Sequence, residues 1–255
     1  MPLAVEHIRR MRGGAQSHLM RCDDGACYVV KFQNNPQHVR VLANEMRATR
    51  LAARLGLPVP GVEVVEVTAE LIALTADLVM QLGVGRVACK AGRQLGSRFP
   101  GDPARTVVHD FLPDDSLREV ENLPDFAGML VFDKWACNTN GRQAVFYFEP
   151  GRSRRQAMMI DQGFCFNAGE WNFPDAPLRG LYLRHRVYEH VTGMDSFEPW
   201  LARVEQRMSP EVLGEIAEEI PPEWYNHELD ELGQLLTRLD QRRGRVRELI
   251  VQARD

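Results

Sequence analysis

The chain has 255 residues, 44% of them hydrophobic and 26% charged, with a formal net charge of −4. This is an ordinary globular profile, and it gives no general attraction to nucleic acid or to an anionic membrane, so neither is expected as a partner. No apolar run reaches the roughly 18 residues that span a bilayer, residues 1–7 lack a signal peptide's basic and apolar regions, and the five cysteines form no CxxC pair, so reduced thiols in a cytoplasmic protein without a zinc site are expected.

Residues 1–31 read as strands with tight turns. Apolar stretches 19–22 and 27–32 flank Asp23-Asp24-Gly25, a hairpin signal. The stretch before them holds Gly13, Gly14, Gln16 and Ser17. Its glycines would let backbone N–H groups approach a phosphate, or would simply make a hairpin turn. Lys31 sits among Tyr28, Val29, Val30 and Phe32. If these neighbours are buried, Lys31 needs an anionic partner; on an edge strand it would point to solvent. Residues 36–55 read as a helix. Pro36 suits its first turn, Val39, Leu42, Met46, Leu51 and Ala53 line an apolar face, and Gly56, Pro58 and Pro60 stop it. Glu45 lies on this helix, either as a partner for Lys31 or as a solvated acid.

Residues 62–67 read as strand, and 70–80 as strand or as strand with a short helix. The Gly-, Arg- and Pro-rich stretch 83–105 reads as loop. Residues 107–113 form a short strand that connects a strand-rich first part to a helical second part, and His109 within it is expected to be structural before catalytic. Residues 125–137 read as a helix with Phe126, Met129, Leu130, Phe132 and Trp135 on its apolar positions. A polar run follows, Cys137-Asn138-Thr139-Asn140-Gly141-Arg142-Gln143, then strands at 144–148 and 157–160, the second ending on Asp161. Residues 171–177 form an aromatic, proline-rich loop. Helices are expected at 178–191, 196–207 and 209–219, with Ser196 as a candidate N-cap and Ser209-Pro210-Glu211 as a clear start. Residues 228–253 read as one long amphipathic helix whose arginines 242, 243, 245 and 247 are solvated. The expectation is an α+β molecule of two lobes, residues 1–112 and 113–255, with a cleft at their junction.

Loop, strand, strand and terminal acid is the order in which kinase-type sites present a catalytic loop and a metal-binding carboxylate. Taken together, Val29-Val30-Lys31-Phe32, Asn44-Glu45-Met46, the segment Leu55-Gly56-Leu57-Pro58-Val59-Pro60, the run from Phe132-Asp133 to Asn138-Thr139-Asn140, and Ile160-Asp161-Gln162-Gly163 resemble the HipA-like kinase family. The likeness covers most of the chain. It implies a two-lobed protein-kinase-like fold, ATP and Mg2+ as cofactors, and a hydroxyl acceptor on a protein or a small molecule. By that resemblance Lys31 would contact the nucleotide phosphates with Glu45 holding it. Gly13, Gly14, Gln16 and Ser17 would cover the phosphates, and His109 and Phe111 would lie where the adenine is received. Asp161 would bind the metal with Gln143 or Asn138. Asn140, Asp133 and Arg142 would form the catalytic loop, with Arg142 stabilising the transferred phosphate.

One position departs from the family. Where its Asn-Thr-Asp motif carries the catalytic Asp, this chain has Asn140, and an amide is no useful base near neutral pH. The amide reads as degeneration to a nucleotide- or partner-binding pseudokinase, as a substitution that traps a bound state, or as a sign that positioning and electrostatics suffice. Asp133, upstream on the helix, either supports the loop or supplies the acid itself.

Overall fold

The computed structural model describes residues 1–176 and 178–254. Strands β1 (Ala4–Arg10), β2 (His18–Cys22) and β3 (Cys27–Lys31) are followed by helix α1 (Val41–Leu55), strand β4 (Val62–Val67) and helix α2 (Ala69–Leu74). Strands β5 (Val79–Leu82), β6 (Gly85–Ala88), β7 (Gly92–Arg98) and β8 (Val108–His109) come next, then helices α3 (Asp114–Leu117) and α4 (Asp125–Trp135). Strands β9 (Gln143–Phe148) and β10 (Arg155–Ile160) precede helices α5 (Glu198–Arg207), α6 (Pro210–Glu218), α7 (Leu229–Arg242) and α8 (Val246–Arg254). The result is a mixed α+β fold, with its large sheet in the first part and most of its helices in the second.

The large sheet runs β1-β2-β3-β7-β4, antiparallel throughout. The Asp23-Asp24-Gly25 hairpin forms as expected: Gly25 takes φ +80°, and Asp24 caps the turn by accepting from Ala26 N–H at 2.9 Å. Strand β7 was expected to be loop, because Leu95 is the only large apolar residue in Gly92–Arg98. It is nonetheless central, between β3 and β4. Gly96 lets its neighbours close in, since a Cβ there would lie 2.4 Å from Val65 Cγ2. Buried Gln94 is satisfied by Gln33 N–H and Lys90 C=O, each at 2.8 Å. Strands β5 and β6 form a separate hairpin, β5 starting in the stretch expected to hold strand and β6 lying within the expected loop.

Helix α1 begins at Val41, five residues later than its sequence suggests, and ends where Gly56 adopts φ +82° with its N–H returned to Ala53 C=O at 2.9 Å. It is buried on nearly all sides, because it lies between the sheet and the helices. One continuous apolar cluster includes Leu42, Met46 and Leu51 of α1, Leu95 of β7, Phe126, Phe132 and Trp135 of α4, and Leu235 and Leu239 of α7. A second cluster under the sheet contains Met20, Val30, Phe32, Val65 and Met80.

Four further expectations are corrected. Residues 178–191 are not a helix but turns with one short 3-10 helix, His185–Tyr188; Gly180 N–H and Leu181 C=O are committed to Asn140 and Arg142 of the loop after α4. The long C-terminal helix breaks at Arg243–Arg245 into α7 and α8, where Gly244 weakens helical continuity. Arg242 is not solvated: it is buried, pairing with Asp175 at 2.8 Å and donating to Lys134 C=O. Ser196 is not the cap of α5, and its hydroxyl instead accepts from Thr192 N–H. Ser209 does cap α6. Of the expected 171–177 loop, Pro177 lies outside the described residues.

Candidate active site

Strand β3, helix α1 and the segment after β10 converge on one lysine. Lys31 Nζ donates to Glu45 Oε2 at 2.8 Å and also pairs with Asp161 Oδ1. Lys31 and Glu45 are almost fully buried, whereas 30% of the Asp161 side chain is exposed. Burial opposes the charge on Lys31, but Asp161 and Glu45 outweigh it and raise its pKa. Lys31 in turn holds the Asp161 carboxyl below its ordinary value. Gln143 lies beside the same carboxylate and helps to lower its pKa. Both readings of Lys31 and Glu45 in which they point to solvent therefore fail.

Asp161 itself sits at φ +61°. Such a conformation costs a residue with a side chain about 1–2 kcal/mol, so surrounding contacts must impose it. The segment behind it is pinned by Asn44 of α1, whose side-chain amide donates to Gly163 C=O and Cys165 C=O, each at 3.1 Å, and to Ala168 C=O. Trp171 Nε1 donates to Asn44 Oδ1 at 2.7 Å. The Trp171 ring also packs on the guanidinium of Arg40 at 4.1 Å. Gly163 allows close approach to α1, since a Cβ would fall 2.6 Å from Val41 Cγ2. Asn44 stands one step before Glu45 in the sequence with no role of its own to mark it; only the burial of α1 on nearly all sides makes its amide a support.

Helix α4 delivers the second half of the site. Its Trp135 donates from Nε1 to Leu239 C=O at 2.9 Å, which fixes its last turn against α7. Asp133 projects from that turn and is gripped by Arg142 through Nε at 2.8 Å and through Nη2. Asn138 donates to Asp133 Oδ1 at 3.0 Å, and its own Oδ1 accepts from Asn140 N–H at 3.1 Å. Arg142 also donates to Ile160 C=O at 2.8 Å, one residue before Asp161. The loop and the segment after β10 are further joined by Thr139 N–H to Phe164 C=O at 3.1 Å and Asn167 N–H to Cys137 C=O at 3.1 Å.

This geometry sorts the predicted residues. Lys31, Glu45, Asp161 and Gln143 come together directly. Asp133 and Arg142 form a buried pair that supports the loop, so Asp133 is not presented to an acceptor and Arg142 is not available to a transferred phosphate. Asn138 spends its amide on Asp133 and its carbonyl on the loop backbone, so it is turned away from a metal. Asn140 is exposed. Gln16 was expected over the phosphates, but its carboxamide is engaged with the Gln81 backbone, donating at 2.9 Å and accepting at 2.7 Å. It braces the Gly13-Gly14 turn against β5. Ser17 is buried and its C=O accepts from Met11 N–H at 2.8 Å. His109 lies in β8 opposite Phe146, and Phe111 holds its exposed ring 4.4 Å from the Arg184 guanidinium. Those contacts belong to the connection between sheet and helices.

A five-stranded antiparallel sheet, a helix that pairs its glutamate with a strand lysine, and an acid after a strand pair define the protein-kinase-like class. Solved structures agree in fold. The Helicobacter pylori proinflammatory kinase CtkA superposes with a TM-score of 0.61 at 15% identity, covering 99% of this chain and 96% of that one. The Golgi casein kinase with Mn/ADP bound gives 0.56 at 10% identity, covering 98% and 73%. Hydra Fam20 with sugar gives 0.56 at 12%, covering 99% and 86%. Residues 4–249 match the family model for HipA-like kinases, and the chain belongs to that family. A comparison with curated sequences finds no match. Among the described residues no helix is long and apolar enough to cross a membrane.

Proposed function

We propose that this protein is an ATP- and Mg2+-dependent phosphotransferase whose acceptor is a hydroxyl on a protein or a small molecule, working in the cytoplasm. The observation that carries this reading is the Lys31 ammonium held between Glu45 and the partly exposed Asp161. A strand lysine oriented by a helix glutamate is suited to nucleotide phosphates. The donor set fits Mg2+, which binds through one or two carboxylates and completes its shell with phosphate oxygens and water. Asp161 would hold it with Gln143 beside it, and the ion would supply charge neutralisation at the transferred phosphate. Lys31 moves its charge from Asp161 towards the nucleotide while Glu45 keeps it aimed. The glycine turn, braced by Gln16, offers backbone N–H groups above the phosphates. Asn140 hydrogen-bonds the acceptor hydroxyl and orients it without accepting its proton.

Asn140 also favours a second reading, a pseudokinase that binds nucleotide or a partner without turnover, because an amide cannot serve as the base. Two measurements separate these readings. Mg-ATP should raise the melting temperature of the wild-type chain and not of Lys31→Ala. Release or transfer of the γ-phosphate by the wild-type chain supports the enzyme; binding without turnover supports the module; binding that is unchanged in Lys31→Ala sinks both.

A further inference from the structure

Asn140 is the only asparagine in the chain that precedes a glycine. It is exposed and lies outside any helix or strand. The Gly141 N–H donates to Asn140 Oδ1 at 2.9 Å, which holds the backbone nitrogen against the carboxamide of the preceding residue. The fold does not demand glycine at 141. A Cβ there would meet nothing nearer than Leu181 O at 3.7 Å and Leu183 Cγ at 3.9 Å, which are ordinary contacts, and its φ is not in the left-handed region. What the glycine does supply is a backbone nitrogen with no side chain to hinder its attack on a neighbouring carbonyl carbon.

We propose that residue 140 is a self-modification site, at which Asn140 deamidates through Gly141 and the amide of the catalytic loop becomes a carboxylate. The Gly141 nitrogen loses its proton to solvent base and bonds to Cγ of Asn140. The Cγ–Nδ2 bond breaks and ammonia leaves, closing a five-membered succinimide. Water then adds at Cγ, the new Cγ–N bond breaks, and the nitrogen regains its proton, which leaves Asp at 140. The balance is one water consumed and one ammonia released, with no oxidant or reductant. Water added at the main-chain carbonyl would instead give isoaspartate. That carbonyl accepts from Gly180 N–H at 3.2 Å, and the peptide analysis below distinguishes the two linkages.

The consequence for activity rests on the proposed phosphotransferase reading: the product is the acid that orients an acceptor hydroxyl and takes its proton. The amide form would then be the slower phosphotransferase, and the deamidated form the faster one.

The test follows the full-length folded chain over time at mildly alkaline pH, with the peptide around residue 140 resolved by mass spectrometry after acidic digestion. Asp at 140 should accumulate, faster as pH rises, while Asn138 and Asn167 stay amides. Gly141→Ala, for which there is room, should keep its melting temperature and deamidate several-fold more slowly. The proposal is overturned if residue 140 stays an amide in the folded chain while the urea-unfolded chain deamidates, or if Gly141→Ala reacts as fast as wild type. γ-Phosphate turnover is measured on the same samples, with Asn140→Asp as the reference. Deamidation with turnover rising in step supports both proposals. Deamidation with no turnover, in a set where Asn140→Asp is also inactive, overturns the phosphotransferase reading and leaves the modification standing.

Discussion

Arg142 grips both carboxylate oxygens of Asp133, and neither side chain is exposed to solvent at all. The pair ties the end of α4 to the strand that leads to Asp161, since the same guanidinium donates to Ile160 C=O. Its work is positional. Removing one member of a buried pair strands the other charge and costs about 3–5 kcal/mol. Asp133→Asn and Arg142→Met should each lower the urea midpoint by a corresponding amount, with or without nucleotide. The double variant Asp133→Leu/Arg142→Met should cost less than the sum of its single changes. Additive losses in a double-mutant cycle would show that the two side chains act independently.

Asn44 is the second support. Replacing it with leucine orphans Trp171 Nε1 and three carbonyls of the segment after Asp161. Each buried polar group left unpaired costs about 1–3 kcal/mol. Asn44→Leu should therefore destabilise the chain and speed amide exchange across residues 161–171 in particular. A uniform rise in exchange over the whole chain would contradict this role.

Two glycines near the site should answer differently to alanine. Gly180 has φ +79°, and a Cβ there would lie 2.5 Å from Asp133 Cβ. Gly180→Ala must both strain its backbone and push the buried pair apart, so it should cost about 1–3 kcal/mol or more. Gly141→Ala, with open space around it, should melt within a degree or two of wild type. Equal melting temperatures for the two variants would mean that the close approach at Gly180 is not maintained in solution.

His18 predicts an acid-sensitive fold. Its buried imidazole, 3.1 Å from His7 and near Arg10, is pushed from 6.5 down to about 4, burial being the largest cause. Unfolded, it would take a proton near 6.5; folded, it resists until about 4. The unfolded state thus binds more protons in this window, and stability falls as pH drops through it, by on the order of 3 kcal/mol. His18→Leu should flatten the dependence of the urea midpoint on pH between those values. An unchanged slope in that variant would assign the acid sensitivity elsewhere.

Much of the site was legible because its chemistry is local. Lys31 in an apolar strand, Glu45 fourteen residues on, and an acid closing a strand after a polar loop can all be read along the chain. What could not be read was where each side chain spends its hydrogen bonds. Arg142, Asn138 and Gln16 carry the right groups for phosphate or metal, yet all three are committed to Asp133 or to backbone by residues distant in sequence. Strand β7 was illegible for a related reason: its place between β3 and β4 depends on Gly96 fitting under Val65 and on Gln94 finding partners, not on its own pattern.

The sequence by itself determined the hairpin at Asp23–Gly25, the stop of α1 at Gly56, the apolar helix α4 and the amide at position 140, because each depends on backbone preferences, side-chain periodicity or residue identity alone. Only the tertiary structure decided that Asp133 is a buried brace, that Asp161 is the partly exposed acid beside Lys31, and that Gly141 N–H rests against Asn140. Those outcomes depend on which groups meet after burial, where an unpaired charge or donor costs more than local preference can offset.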